Sequence, residues 1–398
     1  MFVDIAILAA ALATGAILFR PSVASNPFWR ATVTPLASII GSGFLILAPV
    51  LDYGYGGWAP VVMAGLCAAA WAFGSAIRFN IAALNDGLDD TPGATRLEAL
   101  ASWTLALAYF VSVAYYLNLF GAFAARMISH DDPLVARSIT SALLLLILAI
   151  GSTRGFTALE RLEQVSVSVK LAIIAGLLAG MALFFRDRVV HDGLVANPVH
   201  VDGWSGLALA FGLIVTVQGF ETSRYLREIY DAPTRIRSMR LAQVLATAIY
   251  VAYIVLMAYV FPADDGMVSE TGVIDMTARV STILPAMLMV AALSAQFSAA
   301  IADTGGSGGL VHELTRGRVR QGMTYAALTA GGLAMTWLFD VFAIISYASR
   351  AFALYYGLQA LLAAIRAGTR KAQWARVAFY LALAFLALAM TVFGRPVE

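Results

Sequence analysis

Four charged side chains lie within or beside stretches that are otherwise apolar: Lys170, Glu221, Asp303 and Arg350. A charge at membrane depth is costly, so one that is kept there pairs with another charge, relays protons or meets an ion or solute. Lys170 stands out because the chain has two lysines against 24 arginines, and the other, Lys371, sits in a polar loop. Counted from the start of an apolar run near residue 160, Lys170 lies about ten residues in, or ~15 Å at 1.5 Å per residue, close to the middle of a bilayer. Three roles fit a lysine there: a group that exchanges its proton, a permanently charged pin for a cavity, or a member of an unrelated ion pair. Arg350, about nine residues into another apolar run, is within plausible reach of Glu221, Asp303 or a solute carboxylate. A structural or gating ion pair is the expectation for those three.

Two interruptions accompany these charges. The apolar stretch from Thr34 to Pro49 carries Ile40-Gly41-Ser42-Gly43 at its centre, and the stretch from Phe211 to Arg224 carries Thr216, Gln218, Gly219, Phe220 and Glu221. Glycine inside a helix costs roughly 1 kcal/mol relative to alanine, and backbone groups freed in hydrocarbon need partners from protein, water or solute. A broken helix with a binding site is one reading; close packing of a second helix against small residues is the other.

The elements that hold these residues follow from composition. Of 398 residues 61% are hydrophobic and 13% charged, with mean hydropathy +0.81, which excludes an ordinary soluble domain and defines a polytopic membrane protein. Net charge +2 without a basic, aromatic-interleaved run excludes a nucleic-acid partner. The single cysteine, Cys67, excludes an intrachain disulfide.

Apolar runs of spanning length predict helices near 2–19, 32–52, 57–80, 97–126, 134–151, 160–186, 204–226, 237–262, 275–304, 322–339, 341–365 and 375–394. The fold class is therefore all-α and polytopic, with about twelve spans. The first run begins Met1-Phe2-Val3-Asp4 without a basic region, so a retained helix is expected rather than a cleaved signal peptide, despite Ser22-Val23-Ala24 behind it.

The two interrupted helices each open a set of five. An odd number of spans per set forces the second set to run with opposite topology, the 5+5 inverted repeat of many secondary transporters, whose sites lie at paired broken helices. The expected division is 1–30 for an extra N-terminal helix and loop, 31–190 and 200–366 for the repeats, and 367–398 for an extra C-terminal helix. Arginines at 224, 227, 235, 237 and 240, at 316, 318 and 320, and at 366, 370 and 376 with Lys371 mark alternate loops as cytoplasmic. The loop with Asp264, Asp265 and Glu270 then faces outside, as do both termini, and a bacterial cytoplasmic membrane is the expected location.

Ile40-Gly41-Ser42-Gly43, then Arg161-Leu162-Glu163-Gln164-Val165 leading to Val169-Lys170-Leu171, and then the triplet Gly219-Phe220-Glu221 with an arginine-rich loop behind it occur in this order along the chain. Together they resemble the amino acid, polyamine and organocation transporter superfamily, over roughly residues 30 to 365. The resemblance implies the leucine-transporter fold. It also implies that Lys170 fills the position that sodium takes in other members, beside the first and eighth core helices, where Ser294 and Ser298 would bond it or, without it, ligate sodium. Members usually carry a bulky aromatic four residues before the second glycine; Val215 stands there, and Gln218 is polar, so gating and selectivity are expected to differ.

Half-helix N-termini favour an anion, and freed carbonyls favour a cation or ammonium group. These preferences allow a zwitterion, and the resemblance favours one. Tyr109 and Tyr116, seven residues apart on one helical face, are candidate pocket walls or packing residues, as is Phe220. The expected function is secondary transport of a small solute, an amino acid or related amine, with proton coupling through Lys170. Alternatives are a sodium-coupled or uncoupled carrier of another solute such as a nucleobase, and a sensor that does not transport. No cofactor or metal is expected: His130, His191, His200 and His312 fall in or beside predicted loops, and HExxH, GxSxG and P-loop patterns are absent.

Overall fold

The computed structural model describes residues 2–41, 43–87, 91–129, 132–153, 157–226, 229–262, 269–369 and 373–397, and every regular element among them is helical. Ser42, His130, Arg227, Asp264, Asp265, Arg370 and Lys371 lie outside the described residues, as do the side chains of Arg161 to Val165.

The chain begins with α1 (Phe2–Leu18), a one-turn α2 (Pro21–Ala24), and α3 (Pro27–Ile39) continued by α4 (Gly43–Tyr55). Next come α5 (Ala59–Asn85), α6 (Pro92–Ser129), α7 (Pro133–Thr153) and α8 (Thr157–Asp187). The second half consists of α9 (Gly203–Gly212), a tight turn over Ile214–Val217, α10 (Thr222–Tyr225), α11 (Ala232–Ala258), α12 (Gly272–Ala278), α13 (Leu284–Leu314), α14 (Gln321–Leu338) and α15 (Val341–Gly368); α16 (Trp374–Phe393) closes the chain.

Eight helical stretches among the described residues are long and apolar enough to cross a membrane. The difference from twelve has local causes. The interrupted helices are split into pieces of 13 and 13 and of 10 and 4 residues, with α4 running on into α5. The first helix has 17 residues, and α14 has 18 with several glycines and threonines. The protein is an all-helical polytopic membrane protein with the architecture of two inverted five-helix repeats.

Helix starts obey local chemistry. Asn26 accepts from the N–H groups of Phe28 (2.9 Å) and Trp29 (3.2 Å), with Pro27 at the first helical position of α3. Asp340 caps α15 through Ala343 N–H at 2.8 Å, and Asp231 caps α11 through Thr234 N–H at 2.9 Å.

The eighth core helix departs from expectation: it runs from Leu284 to Leu314, not 275–304, and a separate α12 precedes it. Hydropathy continues across the junction, but the chain turns at Ser281, whose hydroxyl meets Asp4 of α1 (2.5 Å) and accepts from Ile283 N–H (3.3 Å), and Pro285 opens the new helix. At the far end Gly305-Gly306-Ser307-Gly308-Gly309 reads as a stop. The helix continues through it because rings of other helices pack there: a Cβ at Gly306 would sit 3.2 Å from Tyr109, and one at Gly308 2.5 Å from Tyr325.

Packing places the two broken helices between supports. Helix α6 packs along α13 and α15, α11 along α5 and α3, and α16 along α15. The α6–α13 pair is antiparallel, with Tyr109 against Gly306, Ser112 against Asp303 and Phe120 against Phe297 (ring centroids 6.3 Å apart). Helix α1 seats Ile7, fully buried, in a groove over Gly176 and Gly180 of α8, as small-residue faces in membranes permit.

Candidate functional site

The first break begins where α3 ends. Ile40, with φ −81° and ψ 57°, leaves the helix, and α4 resumes at Gly43. The second break is longer: Leu213 caps α9, one tight turn follows, Gln218 is extended, and Gly219 adopts φ +116°, a conformation that disfavours any side chain.

These two breaks touch. A Cβ on Gly43 would lie 2.7 Å from Thr216 Cβ and 2.8 Å from its Cα; a Cβ on Gly219 would lie 2.5 Å from the carbonyl carbon and from Oγ of Ser38. Each broken helix thus puts a glycine against the backbone of the other. Helix interruption and close packing, alternatives in the sequence, are both realised at the same glycines.

The freed backbone groups have identifiable partners. Lys170 of α8, buried, donates from Nζ to Ala37 O at 2.8 Å, three residues before the first break. The Ser294 carbonyl of α13 accepts from Ser166 Oγ of α8 at 3.3 Å. Tyr250 of α11 puts its hydroxyl 2.8 Å from Ile39 O and 2.6 Å from Thr216 O, one carbonyl from each break. Ser349 of α15 donates to Gly212 O (2.6 Å) and accepts from Val215 N–H (3.1 Å), closing the gap where α9 stops.

The second break also carries its own carboxyl group. Glu221, fully buried, accepts from Gly219 N–H at 3.0 Å and from Tyr356 O–H at 2.9 Å through Oε2. Phe220 is stacked on Tyr356 with ring centroids 5.0 Å apart, and Phe73 stacks against Tyr356 at 5.4 Å. Gln218, 2% exposed, donates from Nε2 to Tyr116 OH at 2.8 Å, while its Oε1 and Glu221 Oε1 have no partner. Tyr109 and Tyr116 share a face of α6 with Ser112 between them, and Ser112 hydrogen-bonds Asp303 of α13.

Glu221, Asp303 and Arg350 do not form an ion pair with one another. Arg350 points away from both acids and chelates Gly394 O, through Nε at 3.1 Å and Nη2 at 2.6 Å, just past the end of α16. The residues after α16 then run beside α9: Arg395 N–H donates to Ala208 O at 2.9 Å, and a Cβ on Gly212 would lie 1.8 Å from Arg395 O. The reason for the difference is rotational. A charge at a given depth can face any neighbour, and α15 turns Ser349 and Tyr356 toward the second break and Arg350 toward α16.

A different charge cluster spans the bundle. Glu98 of α6 receives a guanidinium nitrogen from Arg224 of α10 and faces Arg366 Nη2 of α15 at 3.5 Å. Arg224 also donates to Gln359 Oε1 at 2.6 Å, and Asn80 of α5 donates to the same oxygen at 3.0 Å. Arg366 is 1% exposed. At the other end of α4, Asn197 donates to both Asp52 oxygens, at 3.0 and 2.9 Å, and to Phe261 O at 2.9 Å. Tyr250, Ser349, Tyr356 and Glu98 carried no usable signal in the sequence: a tyrosine or serine in an apolar helix is ordinary, and Glu98 lies near a helix start. No group of three or more metal-ligating side chains occurs among the described residues.

Paired broken helices in contact at the centre of two inverted repeats, with polar side chains bonded to the freed backbone, define a secondary transporter of the leucine-transporter fold. The comparisons agree. Residues 21–394 match the family model for APC superfamily transporters, and the chain belongs to that superfamily. It is 36% identical over 386 residues to an uncharacterized protein of Aquifex aeolicus (strain VF5), covering 95% of this chain and 93% of that one. Among solved structures it is similar to Mhp1, a nucleobase-cation-symport-1 family transporter, in a closed conformation with bromovinylhydantoin bound. The TM-score is 0.57 and the identity 14%, over 92% of this chain and 91% of that one. The chain is therefore an integral membrane transporter of a small molecule, not an enzyme.

Proposed function

We propose that the transporter carries an amino acid or related amine between the two breaks and couples its movement to protons through Lys170. The observation that carries this reading is the 2.8 Å bond from Lys170 Nζ to Ala37 O. A buried ammonium tied to a carbonyl beside the first break links the lysine's proton to the geometry of that break. Loss of the proton weakens the charge-assisted bond and releases the carbonyl. Ser294 and Ser298, on the α13 segment that packs against α8, complete the proposed coupling region.

The second break supports a polarity for the solute. Its half-helix end is already occupied by the Glu221 carboxylate on Gly219 N–H. A solute carboxylate then belongs at the first break, at the N-terminal end of α4 with Ile40, Gly41 and Gly43; Ser42 of this motif lies outside the described residues. A solute ammonium belongs near Thr216, Gln218, Gly219 and Phe220, where Gln218 Oε1 and Glu221 Oε1 offer acceptors. Tyr109 and Tyr116 form the facing wall, and Glu221 and Asp303 act as gating groups through Tyr356 and Ser112. Arg350 acts on the gate through α16.

A second reading rests on Gln218. Its amide, bonded to Tyr116 on one side and open on the other, also complements the edge of a nucleobase-like ring.

A thermal-shift screen of amino acids, amines and nucleobases on purified protein separates the two readings. Counterflow of the selected solute in proteoliposomes then separates a carrier from a sensor. Lys170→Ala is expected to abolish uptake driven by a pH gradient; undiminished gradient dependence in that variant overturns the coupling role, and a sodium-dependent shift of the wild-type melt points to sodium instead.

A further inference from the structure

We infer that Tyr250 is a positioning residue that fastens the two broken helices to each other through one hydroxyl. Its O–H lies 2.8 Å from Ile39 O and 2.6 Å from Thr216 O, so the last carbonyl of α3 and a carbonyl of the second break converge on the same oxygen. A hydroxyl carries one proton, and that proton is shared by two acceptors belonging to opposite repeats. Among the described residues no backbone N–H donates to either carbonyl, as expected where a helix has ended.

The ring is held so that the hydroxyl cannot wander. Tyr250 is fully buried, and Phe44 of α4 meets it edge-on with centroids 5.4 Å apart. The side chain therefore touches α4 of the first broken helix through its ring, and α3 and the second break through its oxygen. Beside it lies a small cavity lined by Ile39, Cys67, Val217, Gln243, Thr247 and Tyr250 itself. Removing the hydroxyl takes the side-chain donor from both buried carbonyls, which costs each its hydrogen bond. Both breaks then loosen together, although they lie more than 170 residues apart in sequence and the substituted residue belongs to neither.

Tyr253 provides the control. It lies on the same helix, is equally buried and packs on the same Phe44 ring, at 4.3 Å, but its hydroxyl has no partner. This inference does not depend on the solute or on the coupling ion, and its test uses neither.

Hydrogen–deuterium exchange is followed by mass spectrometry on the purified full-length protein in lipid nanodiscs, for wild type, Tyr250→Phe and Tyr253→Phe. Peptides covering residues 36–47 and 211–224 should exchange at least ten-fold faster in Tyr250→Phe, while peptides from α7 and α14 keep their wild-type rates. Tyr253→Phe should match wild type in all of them. Acceleration at only one break, at neither, equally in Tyr253→Phe, or throughout α7 and α14 overturns the inference.

Discussion

Gly219→Ala probes the crossing of the two breaks most directly. Gly219 has φ +116°, and a methyl group there would lie 2.5 Å from the carbonyl carbon of Ser38. Ordinary contact for such a carbon begins at 3.4 Å, so the neighbouring chain has to withdraw by 3.4 − 2.5 = 0.9 Å. That neighbour is the backbone of α3, which cannot rotate away as a side chain does. The unfavourable φ costs about 1–3 kcal/mol, and overpacking a tight contact costs roughly 1–3 kcal/mol more, giving about 2–6 kcal/mol in total. Gly309→Ala is the matched control. It lies inside α13 with nothing within 4 Å of an added Cβ, so alanine there is expected to be neutral or to stabilise by up to about 1 kcal/mol. Thermal unfolding read by fluorescence-detected size-exclusion chromatography should place Gly219→Ala well below wild type and Gly309→Ala at or above it. If Gly219→Ala melts with the wild type, the two breaks do not cross in the geometry described, and the steric argument fails.

Other perturbations follow from the remaining contacts. Gly212→Ala should destabilise the full chain, because its methyl would lie 1.8 Å from Arg395 O; in a chain ending at Phe393 the same substitution should fall within about 0.5 kcal/mol of its own parent. Glu98→Gln takes the carboxylate from Arg224 and Arg366. Losing one partner of a buried ion pair costs about 3–5 kcal/mol, and the quarter exposure of Glu98 lowers this to about 2–3 kcal/mol; an unchanged melt in low salt would show that the cluster holds nothing together. Ser349→Ala removes both bonds at the α9 stop and should cost roughly 1–3 kcal/mol, checked by the same thermal assay with Ser346→Ala, whose hydroxyl has no partner, as the neutral comparison.

Legibility differed from one feature to the next for physical reasons. Hydropathy located eleven of the twelve expected helical segments to within about five residues, because desolvation acts on each segment separately. It misplaced the eighth core helix, where the turn at Ser281 depends on Asp4 of α1 and the glycine run stays helical only because Tyr109 and Tyr325 pack on it. Both breaks were visible, since Ile40-Gly41 and Gln218-Gly219-Phe220-Glu221 weaken a helix by their own chemistry. Lys170 was visible for the same reason: a lone ammonium at mid-membrane depth must be accounted for wherever it points.

Partners were not visible. The sequence puts Glu221, Asp303 and Arg350 near membrane depth, but whether two side chains meet depends on the rotation of each helix about its axis. The structure sends Arg350 to Gly394 O, Asp303 to Ser112, and Glu221 to Gly219 and Tyr356. The ion cluster of Glu98, Arg224 and Arg366 joins residues up to 268 positions apart. Tyr250 is the plainest case, an ordinary tyrosine in an apolar helix until two carbonyls from opposite repeats converge on its hydroxyl. The sequence by itself determined that the chain spans a membrane, that two helices break within it and that a lysine lies at mid-membrane depth, because burial and helix propensity are paid residue by residue. Only the tertiary structure decided which group satisfies each freed carbonyl, because that choice is made between helices packed face to face.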